Sequence, residues 1–424
     1  MKILLIHYRY FVSGGPERYL FNVKKSLEEH GHEVVPFSIK NSRNLSNKHN
    51  KYFVRNIGNS DEVFLDKYPK TFRTYFDLFG REFYSFYVKR KLERLIEIEK
   101  PDICYLLVYK RALSPSVIDA CKKYKIPVVN RISDYNPVCG AGSLYCAGKV
   151  CMSCLKNEFS CVKNKCIKGS TIYSLARYLS IKLHKFLKID KKIDAFVCTN
   201  KFMSDIMEKY GYEKKKLYII PTFFKEDNEF MLLDKTNKIN AECIEFLYIG
   251  NIDETKGVYD LLKAFNMIKK QISNFHLYIV GGLHIEENKR VKEIISVSGL
   301  SDNITYIPFM KERKVFNYYL KANVSILPAR WVENLPNTLV ESIYFHRPVL
   351  VPNFGSFQYT TDETVSFRYE ALSSEALANM LLKICNNPQV IKEKSENCEK
   401  FFVRNYSENW HMSCLLKLFE EVKS

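Results

Sequence analysis

The chain has 424 residues, 46% of them hydrophobic, and carries 65 lysines and arginines against 47 aspartates and glutamates, a net charge of +18. That length exceeds what one hydrophobic core supports, so two domains near 200 residues each are expected. No apolar run approaches the roughly 18 residues of a membrane span, and Met1-Lys2-Ile3-Leu4-Leu5 has the pattern of a strand and not of a cleavable signal, so a cytoplasmic chain, peripheral at a membrane face, is expected.

The basic excess belongs to one half: residues 1–220 hold 41 basic and 21 acidic side chains, the remainder 24 and 26. Within that half, 2–8, 33–39, 102–108, 127–133, 195–199 and 217–221 read as strands separated by helices, the pattern of a parallel, doubly wound sheet. Ser13-Gly14-Gly15-Pro16-Glu17 follows the first strand and precedes a helix with apolar Tyr19, Leu20, Val23 and Leu27, so Gly15 lets a ligand approach the backbone closely. The G-x-G-x-x-G dinucleotide fingerprint is absent, which disfavours nicotinamide or flavin cofactors.

Between residues 68 and 95, bases are interleaved with Phe72, Tyr75, Phe76, Phe79, Phe83, Tyr84, Phe86 and Tyr87. Such mixing suits an anionic membrane surface, with no motif pointing to nucleic acid. Helical spacing aligns Phe76, Phe79, Phe83 and Phe86 on one face, so part of this aromatic set is expected in the core.

Six of the thirteen cysteines follow: Cys139, Cys146, Cys151, Cys154, Cys161 and Cys166. A C-x2-C pair in a reducing compartment points to a metal before disulfides, with free thiols in an irregular loop as a further reading. Met203 and Met207, at helical spacing, read as core, and the polar stretch 225–242 reads as a linker.

The second half repeats the architecture, with strands at 245–250, 276–282, 304–309, 324–329 and 348–354. Ligands collect at the carboxyl ends of such strands, here Gly250-Asn251, Gly281-Gly282, Pro308-Phe309 and the loop 329–336. Lys256-Gly257 opens the helix after the first of these strands and could reach a phosphate. The segment Trp331-Val332-Glu333-Asn334-Leu335-Pro336-Asn337-Thr338-Leu339-Val340-Glu341 sets two carboxylates eight residues apart, with Pro336 suited to a first helical turn. The helix N-terminus favours a diphosphate, Glu333 suits hydroxyls, and Glu341, roughly 12 Å further along the axis, reaches another part of one extended ligand.

Taken together, these motifs resemble a retaining glycosyltransferase of family 4, with the GT-B fold. Gly14-Gly15-Pro16-Glu17 with Gly31-His32-Glu33-Val34 is similar to the family's opening, Gly250 to Gly257 followed by Leu261-Leu262-Lys263-Ala264-Phe265 to its donor-phosphate segment, and Glu333 to Glu341 to its paired glutamates. The resemblance implies two Rossmann-like domains facing a central cleft: an acceptor-side domain over 1–224 with a cysteine-rich insertion at 136–170, a linker at 225–242, a donor domain over 243–406 and a crossover helix at 407–424. It also implies roles. Glu333 contacts donor-sugar hydroxyls, Glu341 holds the nucleotide ribose, Lys256 neutralises the departing diphosphate, backbone N–H groups of Asn334, Leu335, Asn337 and Thr338 beside Pro336 face sugar and phosphates, and Gly15 lies across the cleft. Gly250, Asn251, Gly282 and Phe309 complete the donor surface. A UDP- or GDP-sugar is the implied donor, without a catalytic metal. A subset of the family with a similar cysteine block implies Cys139, Cys151, Cys154 and Cys166 as ligands of a structural zinc, with Cys146 and Cys161 as alternates.

Three positions depart from the family pattern. Asn251 replaces the usual arginine, Ser133 replaces the histidine before Asp134, and His346 replaces the glycine before Arg347-Pro348. Arg131 or Asp134 then stands where the missing histidine acts, and Asp134 joins Glu333 and Lys256 as a catalytic candidate. The reading is a hexosyltransferase moving a sugar from a nucleotide donor to a lipid-linked or polysaccharide acceptor of surface glycan synthesis, beside an anionic membrane. A nucleotide-sugar epimerase of related fold and a degenerate glycan-binding subunit are the competing readings.

Overall fold

The computed structural model describes residues 1–63, 67–226, 232–282, 285–310 and 312–424. Part of the expected linker, 227–231, lies outside these. The chain forms two compact units, one of Met1–Ser143, Met152–Ile220 and Met412–Ser424, the other of Leu144–Cys151 and Pro221–His411.

The first unit is a six-stranded parallel sheet. Its strands are β1 (Lys2–His7), β2 (Glu33–Phe37), β3 (Ile103–Val108), β4 (Val128–Ile132), β7 (Ala195–Cys198) and β8 (Leu217–Ile219), in spatial order β2-β1-β3-β4-β7-β8. β1 buries five consecutive residues from Ile3 to His7, as expected of a strand covered on both faces. The helices are α1 (Gly15–Glu29), α2 (Phe72–Glu82), α3 (Phe86–Glu99), α4 (Ser116–Lys123), α5 (Ser153–Lys156), α6 (Ser160–Lys163), α7 (Thr171–Phe186) and α8 (Lys201–Lys209). Met203 and Met207 are in the core, as their spacing predicts. The C-terminal residues close this unit: Phe419 packs edge-on against Tyr105 at 5.3 Å between centroids, Tyr218 donates to Glu421 at 2.7 Å, and Lys423 pairs with Asp102 at 3.3 Å.

His7, at the end of β1, is fully buried. Burial foremost, with the charges of Arg9 and Arg131 adding to it against a hydrogen bond to the Arg9 carbonyl, lowers its pKa to about 3. Between about pH 3 and 6.5 the unfolded chain then binds a proton that the folded chain refuses, so stability falls as the pH drops through this window. Denaturant titrations at pH 4, 5, 6 and 7 should show a slope of up to about 1.4 kcal/mol per pH unit from this group. His7→Asn should flatten it, and an unchanged slope would remove His7 as its source.

The second unit holds β9 (Ile244–Gly250), β10 (Phe275–Gly281), β11 (Ile304–Ile307), β12 (Val324–Ile326), β13 (Val349–Pro352) and β14 (Ser366–Tyr369), all parallel, in order β11-β10-β9-β12-β13-β14. Its helices are α9 (Val258–Ile268), α10 (Ile285–Val297), α11 (Glu312–Lys321), α12 (Asn337–Tyr344), α13 (Phe357–Thr360), α14 (Ser374–Asn386), α15 (Gln389–Asn405) and α16 (Glu408–Lys423), the last running on into the first unit. Each of the eleven strands expected from sequence is present. Within the two large sheets β14 is the addition: a four-residue edge strand whose alternating Ser366-Phe367-Arg368-Tyr369 lacks the continuous apolar run of its neighbours.

Two expectations are corrected. The aromatic face of 68–95 does not enter the core: Phe72, Phe76, Phe79 and Phe86 are exposed, while α2 buries Thr74, Asp77 and Arg81. Its chain breaks between α2 and α3, where Ser85 caps α3, so the four phenylalanines do not share one helix. The cysteine insertion also does not stay in the first domain, because the hairpin of β5 (Tyr145–Cys146) and β6 (Lys149–Val150) groups with the second unit, where Tyr145 lies beside Arg330.

Candidate functional site

The carboxyl ends of β9, β10 and β12 gather the expected donor residues of the second unit. Asp253 caps the turn after β9, accepting from the Lys256 N–H at 3.0 Å and the Thr255 hydroxyl at 2.5 Å. Gly257 follows at φ +74°, where a Cβ would stand 1.8 Å from the Pro328 carbonyl oxygen, so only glycine lets this turn lie against the end of β12. Arg330 ties the same loops together, its N–H donating to the Thr255 carbonyl at 2.8 Å and its guanidinium pairing with Asp260 at 2.9 Å.

This packing brings Lys256 to Glu333 across 77 residues of sequence: Nζ lies 2.5 Å from Oε1 and 4.9 Å from the centre of the Trp331 ring. Trp331 Nε1 donates to the same carboxylate oxygen at 2.8 Å. A buried carboxylate is thereby fixed by an ammonium and an indole. Pro336 is the N-cap of α12, one residue before the helix, and no side chain caps the helix, leaving its first-turn N–H groups and the positive end of its dipole for an anion. Glu341 is buried on α12 and accepts from the Tyr319 hydroxyl at 2.9 Å.

Glycines shape the ends of β9 and β10. A Cβ on Gly281 would sit 1.9 Å from the Gly250 carbonyl, and Gly282 has φ +92°. The ends of β9 and β10 therefore meet backbone to backbone. Tyr248 donates to the Asn251 carbonyl at 2.5 Å, fixing the main chain where the family's arginine would stand, while the Asn251 side chain is exposed. Phe309 is exposed beyond β11. His346 adopts φ +58°, so a histidine here takes the left-handed turn that glycine usually makes, and Arg347 beside it is buried on four carbonyls, those of Tyr319, Leu320, Lys235 and Phe345.

Sequence reasoning missed Tyr319, Asp253 and the Arg330–Asp260 pair. Asp253 carried a usable signal, a capping aspartate three residues before Lys256. Tyr319 carried none, because its partner is 22 residues away on another element.

In the first unit, Gly15 opens α1 with Pro16 next and Glu17 buried 3.6 Å from Arg9. Arg131 lies 3.8 Å over the Tyr19 ring and donates to Ser133 at 2.8 Å. Asp134 accepts from the Asn136 N–H at 2.9 Å and its side-chain amide at 2.5 Å.

The cysteine block differs from the expected zinc set. Cys139, Cys154 and Cys161 share thiol hydrogen bonds in the first unit, with Cys166 packed nearby, whereas Cys151 follows the hairpin grouped with the second unit. Among the described residues no three or more histidine, cysteine, aspartate or glutamate side chains are arranged to hold a metal ion. Cys154, Cys161 and Val162 pack as a small apolar cluster beneath α7, where Ile167 donates to Ser174 at 3.0 Å and Cys161 to the Ser174 carbonyl at 3.9 Å.

Comparison with known proteins follows the same lines. The model of the family "Glycosyl transferases group 1" matches residues 232–401. An uncharacterized glycosyltransferase of Haemophilus influenzae is 26% identical over 189 residues, covering 43% of this chain and 52% of its own. The GalNAc-alpha-(1->4)-GalNAc-alpha-(1->3)-diNAcBac-PP-undecaprenol alpha-1,4-N-acetyl-D-galactosaminyltransferase of Campylobacter jejuni is 25% identical over 267 residues, 59% of this chain and 67% of that one. The chain spans about half or less of the first three curated relatives, 52%, 40% and 34% of their lengths. Among solved structures, sucrose-phosphate synthase from Thermosynechococcus elongatus superposes with a TM-score of 0.68 at 16% identity, over 99% of this chain and 98% of the other. Anabaena Alr3699/HepE in complex with UDP and glucose gives 0.59 at 13% identity over 100% of both. The fold is that of the GT-B glycosyltransferases, and residues 232–401 match the model of glycosyl transferases group 1.

Proposed function

We propose that the chain is a retaining glycosyltransferase that moves a sugar from a UDP- or GDP-sugar to a lipid-linked or polysaccharide acceptor, working at the cytoplasmic membrane face. The observation that carries this reading is the Lys256–Glu333–Trp331 cluster beside the uncapped N-terminus of α12, with Glu341 on the same helix. Support comes from the matched glycosyl transferase segment, from a relative named for an undecaprenol-linked acceptor and from a structural neighbour solved with UDP.

In this reading Glu333 holds donor-sugar hydroxyls while Lys256 and the first-turn N–H groups at Asn337 and Thr338 take the diphosphate. Charge grows on that diphosphate as the glycosidic bond breaks, and fixed donors stabilise it without reorganising. The sugar passes through an oxocarbenium-like state and the acceptor oxygen attacks from the face the leaving group vacates, so no protein nucleophile is required. Donor-dependent release of nucleoside diphosphate that needs an added acceptor, with the product's anomeric configuration read by NMR, tests the proposal. Release without acceptor, or inversion, would overturn it in its present form.

Glu341 is assigned the ribose hydroxyls. Glu341→Gln removes the charge but keeps the shape and an acceptor for Tyr319, so nucleoside diphosphate affinity should fall by about 10-fold, in line with a hydrogen bond to a charged group being worth roughly 1.5–3 kcal/mol. Calorimetric titration with UDP and GDP checks this, and undiminished affinity for both would remove Glu341 from the binding surface.

A further inference from the structure

Two helices of the first unit are turned inside out. α2 buries Thr74, Asp77 and Arg81 and exposes Phe72, Phe76 and Phe79; α7 buries Ser174, Arg177 and Ser180 and exposes Ile172, Leu179 and Phe186. Phe72, Ile172 and Phe186 are 86%, 79% and 81% exposed, the reverse of a helix facing water. The buried polar faces bind each other: Arg177 donates to Glu82 at 3.0 Å, Ser180 to Glu82 at 2.6 Å, and the His184 ring pairs with the Phe83 carbonyl at 2.8 Å. The outward apolar faces thus lie on a rigid pair, and contiguous apolar exposure of this kind marks an interaction site.

Between the helices lies a cavity of about 730 Å³. Tyr75, Phe79 and Ile172 line its apolar part and Arg9, Lys110 and Arg111 its cationic part. Lys110 has no hydrogen-bonding or ion-pairing partner among the described residues. The buried Nε atoms of Arg9 and Arg111 have no acceptor, and Arg111 is held at φ +66°. Lys110 and these two Nε–H groups offer donors at the polar end of an apolar cavity, whose wall also carries Glu62, Glu82 and Asp134, and match the two ends of an amphipathic anion. Exposed Lys70, Lys165 and Lys168 flank the two helices in sequence, and exposed Arg73 lies in the first turn of α2.

We propose that this cavity binds a long-chain lipid phosphate, with the chain among the aromatics and the phosphate on Lys110, Arg9 and Arg111, while the outer faces of α2 and α7 rest in an anionic bilayer. This deepens the lipid-linked acceptor reading and rests on it. The test therefore measures binding and not transfer. Full-length protein should bind dodecyl phosphate in calorimetric titration at least 10-fold more tightly than inorganic phosphate or the uncharged dodecyl maltoside. Lys110→Met should lower that affinity at least 10-fold, and Ile172→Glu, at an exposed position that puts no demand on folding, should do the same. Vesicles containing phosphatidylglycerol should carry the protein on flotation, and Phe72→Ser with Phe186→Ser should leave it behind. Equal affinity for dodecyl phosphate and inorganic phosphate would overturn the proposal, as would a dimer that dissociates on Phe72→Ser. UDP and GDP binding in the same preparations reports on the donor site separately, so its loss with lipid-phosphate binding intact would count against the transferase reading alone.

Discussion

Glu333→Ala is expected to lower kcat/KM for sugar transfer by about 10²–10³, the usual consequence of removing one preorganised polar group from a transition-state site. The carboxylate receives Lys256 at 2.5 Å and Trp331 at 2.8 Å on the same oxygen, so its position is set before any donor arrives. Its loss removes the group assigned to the sugar hydroxyls and releases Lys256 from its place over the indole. The fold should survive, because Glu333 sits in a loop and Lys256, 26% exposed, can turn toward water once its partner is gone. The melting temperature should therefore move by a few degrees at most. Turnover within a factor of three of the parent would refute the assigned role. Glu333→Gln offers a second readout: it keeps an acceptor for Trp331 but lacks the charge that holds Lys256, and should fall between parent and alanine variant.

Gly257→Ala is expected to destabilise the second unit by about 2–4 kcal/mol, combining a left-handed backbone with a steric conflict that backbone must relieve. The new Cβ would lie 1.8 Å from the Pro328 carbonyl oxygen and 2.7 Å from its carbon, so β12 and the turn after β9 must separate. Separation also pulls Lys256 from Glu333, and donor binding should weaken along with stability. Gly299→Ala is the matched control. Its φ is +63°, but the nearest atom to a new Cβ is the flexible Lys269 Nζ at 3.8 Å, so it should cost only the roughly 1–2 kcal/mol of the left-handed conformation. Equal shifts in the denaturant midpoint for the two variants would show that contact with Pro328 contributes nothing.

Much of this arrangement was legible in the sequence, for a reason particular elements show. Ile3-Leu4-Leu5-Ile6 and Phe246-Leu247-Tyr248-Ile249 are apolar on both faces, as only strands buried in a covered parallel sheet need to be. Gly14-Gly15, Gly281-Gly282 and the Glu333 to Glu341 spacing fall at the ends of such strands, where loops meet ligands. The three departures from the family pattern each have a structural counterpart. His346 occupies a left-handed turn, Asn251 contributes its main chain to Tyr248, and Ser133 accepts from Arg131.

By itself the sequence determined the alternation of strands and helices, the two-unit organisation, the basic first half and the positions of the paired glutamates, because each follows from local periodicity, spacing or composition. Only the tertiary structure decided that Lys256 meets Glu333, that Tyr319 holds Glu341, that Cys139, Cys154 and Cys161 come together beneath α7, and that α2 turns its phenylalanines outward. A helical repeat states that one face is apolar; it cannot state which way that face points. For α2 the direction is set by Arg55 and Arg81, since Arg55 pairs with Asp77 at 2.9 Å and Arg81 donates to the Arg55 carbonyl at 3.0 Å, contacts that reach 22 and 26 residues along the chain. Burying those charges in mutual hydrogen bonds leaves the aromatic face to whatever lies outside the protein.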